Sequence, residues 1–254
     1  SLTAQINGRT KTFQVKMGAK VLVTSWDSAV AENGWSESYL RGNKVMVPGK
    51  GEVPMLDGGD GSSESEAYVI NSPEAFAWFA YQINHSYNTY GGKCAVLGTD
   101  LDLTGDSYGG SKDAPLLWTG IGTNGAYKGT FDGAGHMIDY LKINVTNGKG
   151  HVGLFNDING GTLKNLTIGE NSSVVANSTL VGAFVGGLVG NVSGCVNYAA
   201  VTSAQHAAGI VGVLSGAGNI TQCGNFGSVT SERISAGIVS YIQSSAQKNI
   251  TQCF

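Results

Sequence analysis

Asp100 and Asp102 flank Leu101 in a short apolar run, so in a strand their side chains point to the same face. Two carboxylates about 5 to 9.5 Å apart across a cleft are the requirement for glycoside hydrolysis. This is the nearest the chain comes to such a pair. Asp132, inside Gly129-Thr130-Phe131-Asp132-Gly133, is a third acid, with His136 beside Gly135 just after it. Asp139 and Asp157 can join a catalytic group only if folding stacks them together. Each of these aspartates also has a simpler role, because an Asp beside Gly or Thr bonds nearby backbone in a turn. The simpler role is the stronger reading. From residue 169 to 254 only Glu170, Glu232, Arg233 and Lys248 carry formal charge. A lyase acting on acidic sugars needs a base and several cations around the substrate carboxylate, and that stretch supplies neither in number. The histidines His85, His136, His151 and His206 are scattered, and no His-Glu-x-x-His pair exists for a zinc peptidase. No catalytic residue is therefore expected. Asp100, Asp102 and Asp132 are the acids of the alternative, a carbohydrate-active hydrolase or lyase.

Binding chemistry has different candidates. Tyr198 and Phe226 lie 28 residues apart at the same place in a repeat. They read first as packing and second as a stacking strip for a sugar or peptide chain. Trp26 and Trp35 are the exposed-ring candidates if the N-terminal segment is a binding module, whereas Trp78 and Trp118 read as core. No metal or cofactor site is expected. The run Asp57–Ser63 offers two aspartates but lacks the ligand spacing of a calcium loop. The cysteines Cys195, Cys223 and Cys253 recur at steps of 28 and 30, which makes a column of buried thiols the leading reading. Ligands in a line do not form the tetrahedron zinc needs.

The elements that would position these groups are repeats. Asn165, Asn191, Asn219 and Asn249 recur at steps of 26, 28 and 30, each followed by an apolar residue and a hydroxyl. Parallel columns follow: Leu141, Leu166, Val192, Ile220 and Ile250; Gly153, Gly187, Gly209 and Gly237; Asn171, Asn197 and Asn225. Val201-Thr202-Ser203 and Val229-Thr230-Ser231 are nearly identical. A unit of 25 to 30 residues with no helical periodicity predicts one turn of a parallel β-helix solenoid. Leucine-rich repeats lack a matching leucine ladder here, and propeller blades are longer. An Asn row satisfies itself by bonding to its copy one turn away.

Before the repeats, Ser72, Pro73 and Glu74 predict a helix start, and Phe76, Phe79, Ala80 and Ile83 follow at helical spacing to about His85. Such a helix covers the first open coil. Residues 1–66 read as a small β-rich segment, with Asn7-Gly8 as a hairpin turn and Phe13, Val15 and Val21-Leu22-Val23 as strand-like runs. Residues 67–254 read as capping helix plus solenoid. The fold class expected is all-β.

Charged residues are 13% of the chain, with 39 glycines and a net charge of −3. No basic cluster supports nucleic-acid binding. No apolar run reaches membrane-span length, so membrane insertion is not expected. Phe254 falls partway through a repeat, so further coils of the parent chain, or a partner copy, are expected beyond it.

Val152-Gly153-Leu154-Phe155, Gly186-Gly187-Leu188-Val189-Gly190, Ala208-Gly209-Ile210-Val211-Gly212 and Ala236-Gly237-Ile238-Val239 resemble the GLUG repeat of bacterial surface proteins. That family includes regions accompanying IgA-cleaving metallopeptidases. Cys195-Val196-Asn197-Tyr198 and Cys223-Gly224-Asn225-Phe226 resemble its Cys-Tyr-Asn turn, with Val196 and Gly224 as departures. Gly129–Gly133 with Gly135-His136 resembles the family's entry segment, and the likeness spans roughly residues 66–254. It implies a right-handed parallel β-helix and an extracellular or cell-envelope, adhesin-like bacterial protein. The expected partners are a glycan or a host protein, and the family has no catalytic residue to carry over.

Overall fold

The computed structural model describes the backbone of residues 2–6 and 9–13, and residues 22–146, 148, 150–243 and 247–254 in full. The protein is mostly β, built from several parallel sheets, with no closed barrel among the described residues. Sheet I joins Leu101–Asp102, Met137–Asp139, Thr167–Ile168, Val196–Asn197 and Gly224–Asn225. Sheet II joins Lys142–Val145, Ser173–Ala176, Ala200–Ser203 and Val229–Ser231. Sheet III joins His151–Val152, Leu180–Gly182, His206–Ala208 and Ile234–Ala236. Sheet IV is the largest and contains Ala95–Leu97, Thr130–Asp132, Phe155–Lys164, Val185–Ser193, Val211–Leu214 and Val239–Ile242. From Met137 onward the chain visits sheets I, II, III and IV in that order four times.

Strict register makes columns of like residues. Phe131, Leu163, Val192, Ile220 and Ile250 stand opposite one another in sheet IV. The first four are fully buried. Each such aliphatic side chain contributes about 1.5–3 kcal/mol by leaving water. Asn191, Asn219 and Asn249 stand in register beside them, linked by amide hydrogen bonds of 2.8 and 2.7 Å.

The true columns correct several expected ones. Thr162, not Asn165, lies opposite Asn191, so the first repeat step is 29 residues. Asn165 sits in a left-handed turn position (φ 53°) that Gln222 and Gln252 also adopt, at φ 56°. Asn tolerates that conformation because its short amide bonds locally. Leu166 stands in the cysteine column, its carbonyl accepting from Val196, and Leu141 belongs to the approach to sheet II. Asn197 and Asn225 are in register, but Ile168 holds the place expected for Asn171. Gly209 and Gly237 are neighbours, whereas Gly187 lies opposite Asp157 and Val213. Gly153 follows Val152, which is opposite Val181. In each case a turn of different length shifts the phase while the local tripeptide stays similar.

Helix α3 (Pro73–His85) begins where expected, with Ser72 Oγ accepting from Ala75 N at 3.1 Å. Its Phe76 ring stacks on Trp118 at 4.5 Å, and Phe79 packs against Tyr127 and Phe131. An amphipathic cap has a wet face, but here Ala77 and Trp78 are buried as well. The reason is the segment before it. Helices α1 (Trp26–Asn33) and α2 (Glu37–Gly42), capped by Ser25 and Ser36, occupy a region expected to be β-rich. Strands Lys44–Val47 and Gly51–Pro54 form an antiparallel pair there, and Leu56–Gly58 adds antiparallel to Tyr68–Ile70 on sheet IV. Trp26, Leu40 and Leu56 belong to the same core as the repeats. Leu22 and Val23 are not in a strand. The backbones of Leu2–Ile6 and Arg9–Phe13 pair antiparallel, with Ile6 opposite Arg9. Asn7-Gly8, Val15 and Val21 lie outside the described residues.

Candidate functional site

The three acids of the enzymatic alternative are each engaged by turns. Asp100 Oδ1 accepts from Met137 N at 2.9 Å and faces His136 Nδ1 at 3.1 Å. Asp102 Oδ1 accepts from Thr104 N at 2.8 Å and from the Thr104 hydroxyl. Asp132 Oδ1 accepts from Ala134 N at 2.8 Å and Asn165 Nδ2 at 3.0 Å, and Lys164 Nζ lies 3.5 Å from Oδ2. Asp139 stands in register with Asp102 but receives Asn171 Nδ2 at 2.7 Å and Tyr140 N at 2.9 Å. Asp132 belongs to sheet IV and Asp102 and Asp139 to sheet I, with Asp100 just ahead of its first strand.

The aromatic pair is a surface feature. Tyr198 and Phe226 are 45% and 58% exposed, stacked at 5.1 Å with planes 12° apart, and Phe254 meets Phe226 edge-on at 5.6 Å. Gly224 leaves the space into which the Phe254 ring extends. Offset stacking accounts for these distances. The Tyr198–Phe226 stack occupies one face of each ring, a face a sugar would otherwise use. Trp26 and Trp35, expected as exposed rings, are buried. Trp26 Nε1 donates to Leu103 O at 3.0 Å, and both rings pack on Tyr108. They seal helix α3 rather than face a ligand.

Cys195, Cys223 and Cys253 are free thiols in one column. Their Sγ atoms donate to Ser193, Thr221 and Thr251 carbonyls at 3.5, 3.3 and 3.3 Å. Cys195 is fully buried, and burial pushes its thiol well up from its ordinary value. No group of three or more metal-ligating side chains occurs among the described residues.

The spacing of residues does not reveal one further pair. His151 Nδ1 lies 2.5 Å from Asp157 Oδ1, both half-buried, in a cleft of about 530 Å³. His151 opens sheet III and Asp157 lies early in the following sheet IV strand, so the chain must turn at Gly153-Leu154 to bring them together. Nearby, Asn156 Nδ2 donates to Thr123 Oγ1 at 3.0 Å. Burial raises the carboxyl of Asp27 at the start of α1, against the opposing pull of His85 and a hydrogen bond from Thr119.

Among family models, one described as "Pre-toxin domain with VENN motif" matches residues 163–206. The matched stretch runs from the end of one sheet IV strand to the start of a sheet III strand, and it contains no Val-Glu-Asn-Asn. No curated protein matches the chain. A solved structure of a presumed immunoglobulin A1 protease from Bacteroides ovatus is similar at 19% identity with a TM-score of 0.48, over 79% of this chain and 70% of that one. That likeness is too distant to carry over fold or activity.

Proposed function

We propose that this chain is a non-enzymatic module of a secreted or cell-surface bacterial protein, adhesin-like, that displays a polar surface and binds glycan or host protein. In this reading the four sheets are successive faces of a right-handed parallel β-helix of GLUG type. Residues 67–254 form the capping helix and solenoid, and residues 1–66 form a preceding segment that covers the cap. One observation carries it: the chain passes through the same sheets in the same order four times, with Asn on Asn and Val on Ile. Register of that kind builds length and surface. The match of residues 163–206 to a pre-toxin model fits a secreted protein. No helix of the described residues is long and apolar enough to cross a membrane. Asp102, Asp132 and Asp139 are each engaged by hydrogen bonds in turns, which disfavours the hydrolase or lyase.

A panel of soluble polysaccharides and host glycoproteins, scored separately for turnover and for binding, tests the proposal. Binding without turnover is expected. Cleavage that Asp132→Asn abolishes overturns it in favour of the carbohydrate-active enzyme.

A further inference from the structure

The cleft beside His151 exists because one pass of the chain is shorter than the next. Leu117 bridges Lys142, and Ile121 bridges Phe155. Residues 118–120 cover that interval in the lower pass and residues 143–154 in the upper. The corner made by Lys142–Val145 and His151–Val152 therefore overhangs a pass too short to lie beneath it. Both strands are the edge members of their sheets: apart from the bridge at Lys142, whose carbonyl accepts from Trp118 N at 2.7 Å, their ladder partners among the described residues belong to the pass above. The resulting hollow of about 530 Å³ falls within the size range of small-molecule sites.

Its polar groups are held in place. A Cβ on Gly187 would stand 2.3 Å from His151 Nδ1 and 2.4 Å from Asp157 Oδ1. A Cβ on Gly120 would stand 2.1 Å from Asn156 Oδ1. Neither glycine has a positive φ. Glycine is needed at these positions for the space it leaves, and the His–Asp pair and the Asn156 amide fill that space. Asp157 uses Oδ1 to fix the imidazole, so its other oxygen and the second imidazole nitrogen remain as ligand groups.

We propose that this hollow binds one neutral sugar residue, an inference that rests on the glycan-binding part of the function proposed above. Sugar hydroxyls both donate and accept, and the wall offers a carboxylate oxygen and an imidazole nitrogen, with acceptor lone pairs on the Thr119 and Thr123 hydroxyls, whose protons go to Asp27 and to Gly120 O. Leu117 and Val152 supply an apolar patch for the C–H face of a ring. Among the described residues no Lys or Arg lines the hollow, and the Asp157 carboxylate in its wall disfavours anionic sugars. The strand edges span only Lys142–Val145 and His151–Val152 and are separated by the corner, so an extended peptide finds no continuous ladder.

The test titrates the full chain with glucose, galactose, mannose, N-acetylglucosamine, N-acetylgalactosamine and short neutral oligosaccharides, by saturation-transfer NMR and calorimetry. At least one saturable neutral ligand is expected. Asp157→Asn, nearly isosteric, should weaken it by about 10- to 100-fold, as loss of a charge-assisted hydrogen bond does. Gly187→Ala should weaken it similarly, with circular dichroism reporting whether the fold is retained. Phe226→Ala should leave affinity unchanged. Equal affinity in folded Asp157→Asn overturns the proposal. Glycan binding that survives Asp157→Asn but is lost in Phe226→Ala overturns the hollow while retaining glycan binding. A panel with no glycan ligand at all overturns both. A peptide ligand sensitive to Asp157→Asn, with no sugar bound, overturns the sugar assignment.

Discussion

Replacing Asn197 with Ile probes the columns directly. Asn197 is fully buried, and the passes below hold Ile168 and Ile138 in its place. Its amide donates to Ala199 O at 3.0 Å and to Asn225 Oδ1 at 2.8 Å, and its carbonyl accepts from Ala199 N at 3.1 Å. Asn197→Ile introduces a side chain the column already accommodates, so the cost is chiefly polar. Three lost hydrogen bonds at roughly 1 kcal/mol each, and an Ala199 N–H left buried without a partner, are offset by the added apolar burial. The net loss is about 2–4 kcal/mol. For a domain of this size that lowers the melting midpoint by roughly 4–16 °C. Thermal unfolding followed by far-UV circular dichroism reads it out. Asn225→Ile and the double variant complete a cycle whose coupling should be near 1 kcal/mol, because the 2.8 Å bond is lost only once. A midpoint for Asn197→Ile equal to or above the parent's refutes the idea that the buried amides support the turns.

Trp26→Ala should cost about 3–5 kcal/mol, since it empties a buried site and removes the bond to Leu103 O; an unchanged melting midpoint would show that α1 does not seal α3. Phe226→Ala should cost only about 0.5–1.5 kcal/mol in stacking with Tyr198, read by melting and by the tyrosine near-UV signal. Asp27 has a folded pKa raised above 3.8, chiefly by burial, so stability falls as pH rises from the unfolded value through the folded one. Asp27→Asn should therefore melt higher than the parent at neutral pH, with the advantage disappearing below the unfolded carboxylate range. A parent that melts higher at neutral pH contradicts that sign.

Helix α3 was legible because Ser72, Pro73 and the aromatic spacing are local signals that burial only reinforces. The columns were legible in kind and less so in phase. Asn191, Asn219 and Asn249 align, but Asn165 does not, because its turn places it three residues later in the circuit. Helices α1 and α2 were missed. Their short, mixed sequences carry little periodicity, and their stability comes from Trp26 and Leu40 joining a core formed by distant residues.

The chain's own residues determined that it would be mostly β and repetitive, since a pattern recurring about every 28 residues survives any uncertainty in its turns. They also determined that charge would be scarce along the repeats. Tertiary structure alone decided which faces are open. Tyr198 and Phe226 became exposed and Trp26 and Trp35 buried by the packing of neighbouring passes and helices, which no local spacing encodes. The hollow beside His151 arose likewise, from a difference in length between two passes that is visible only once they are stacked.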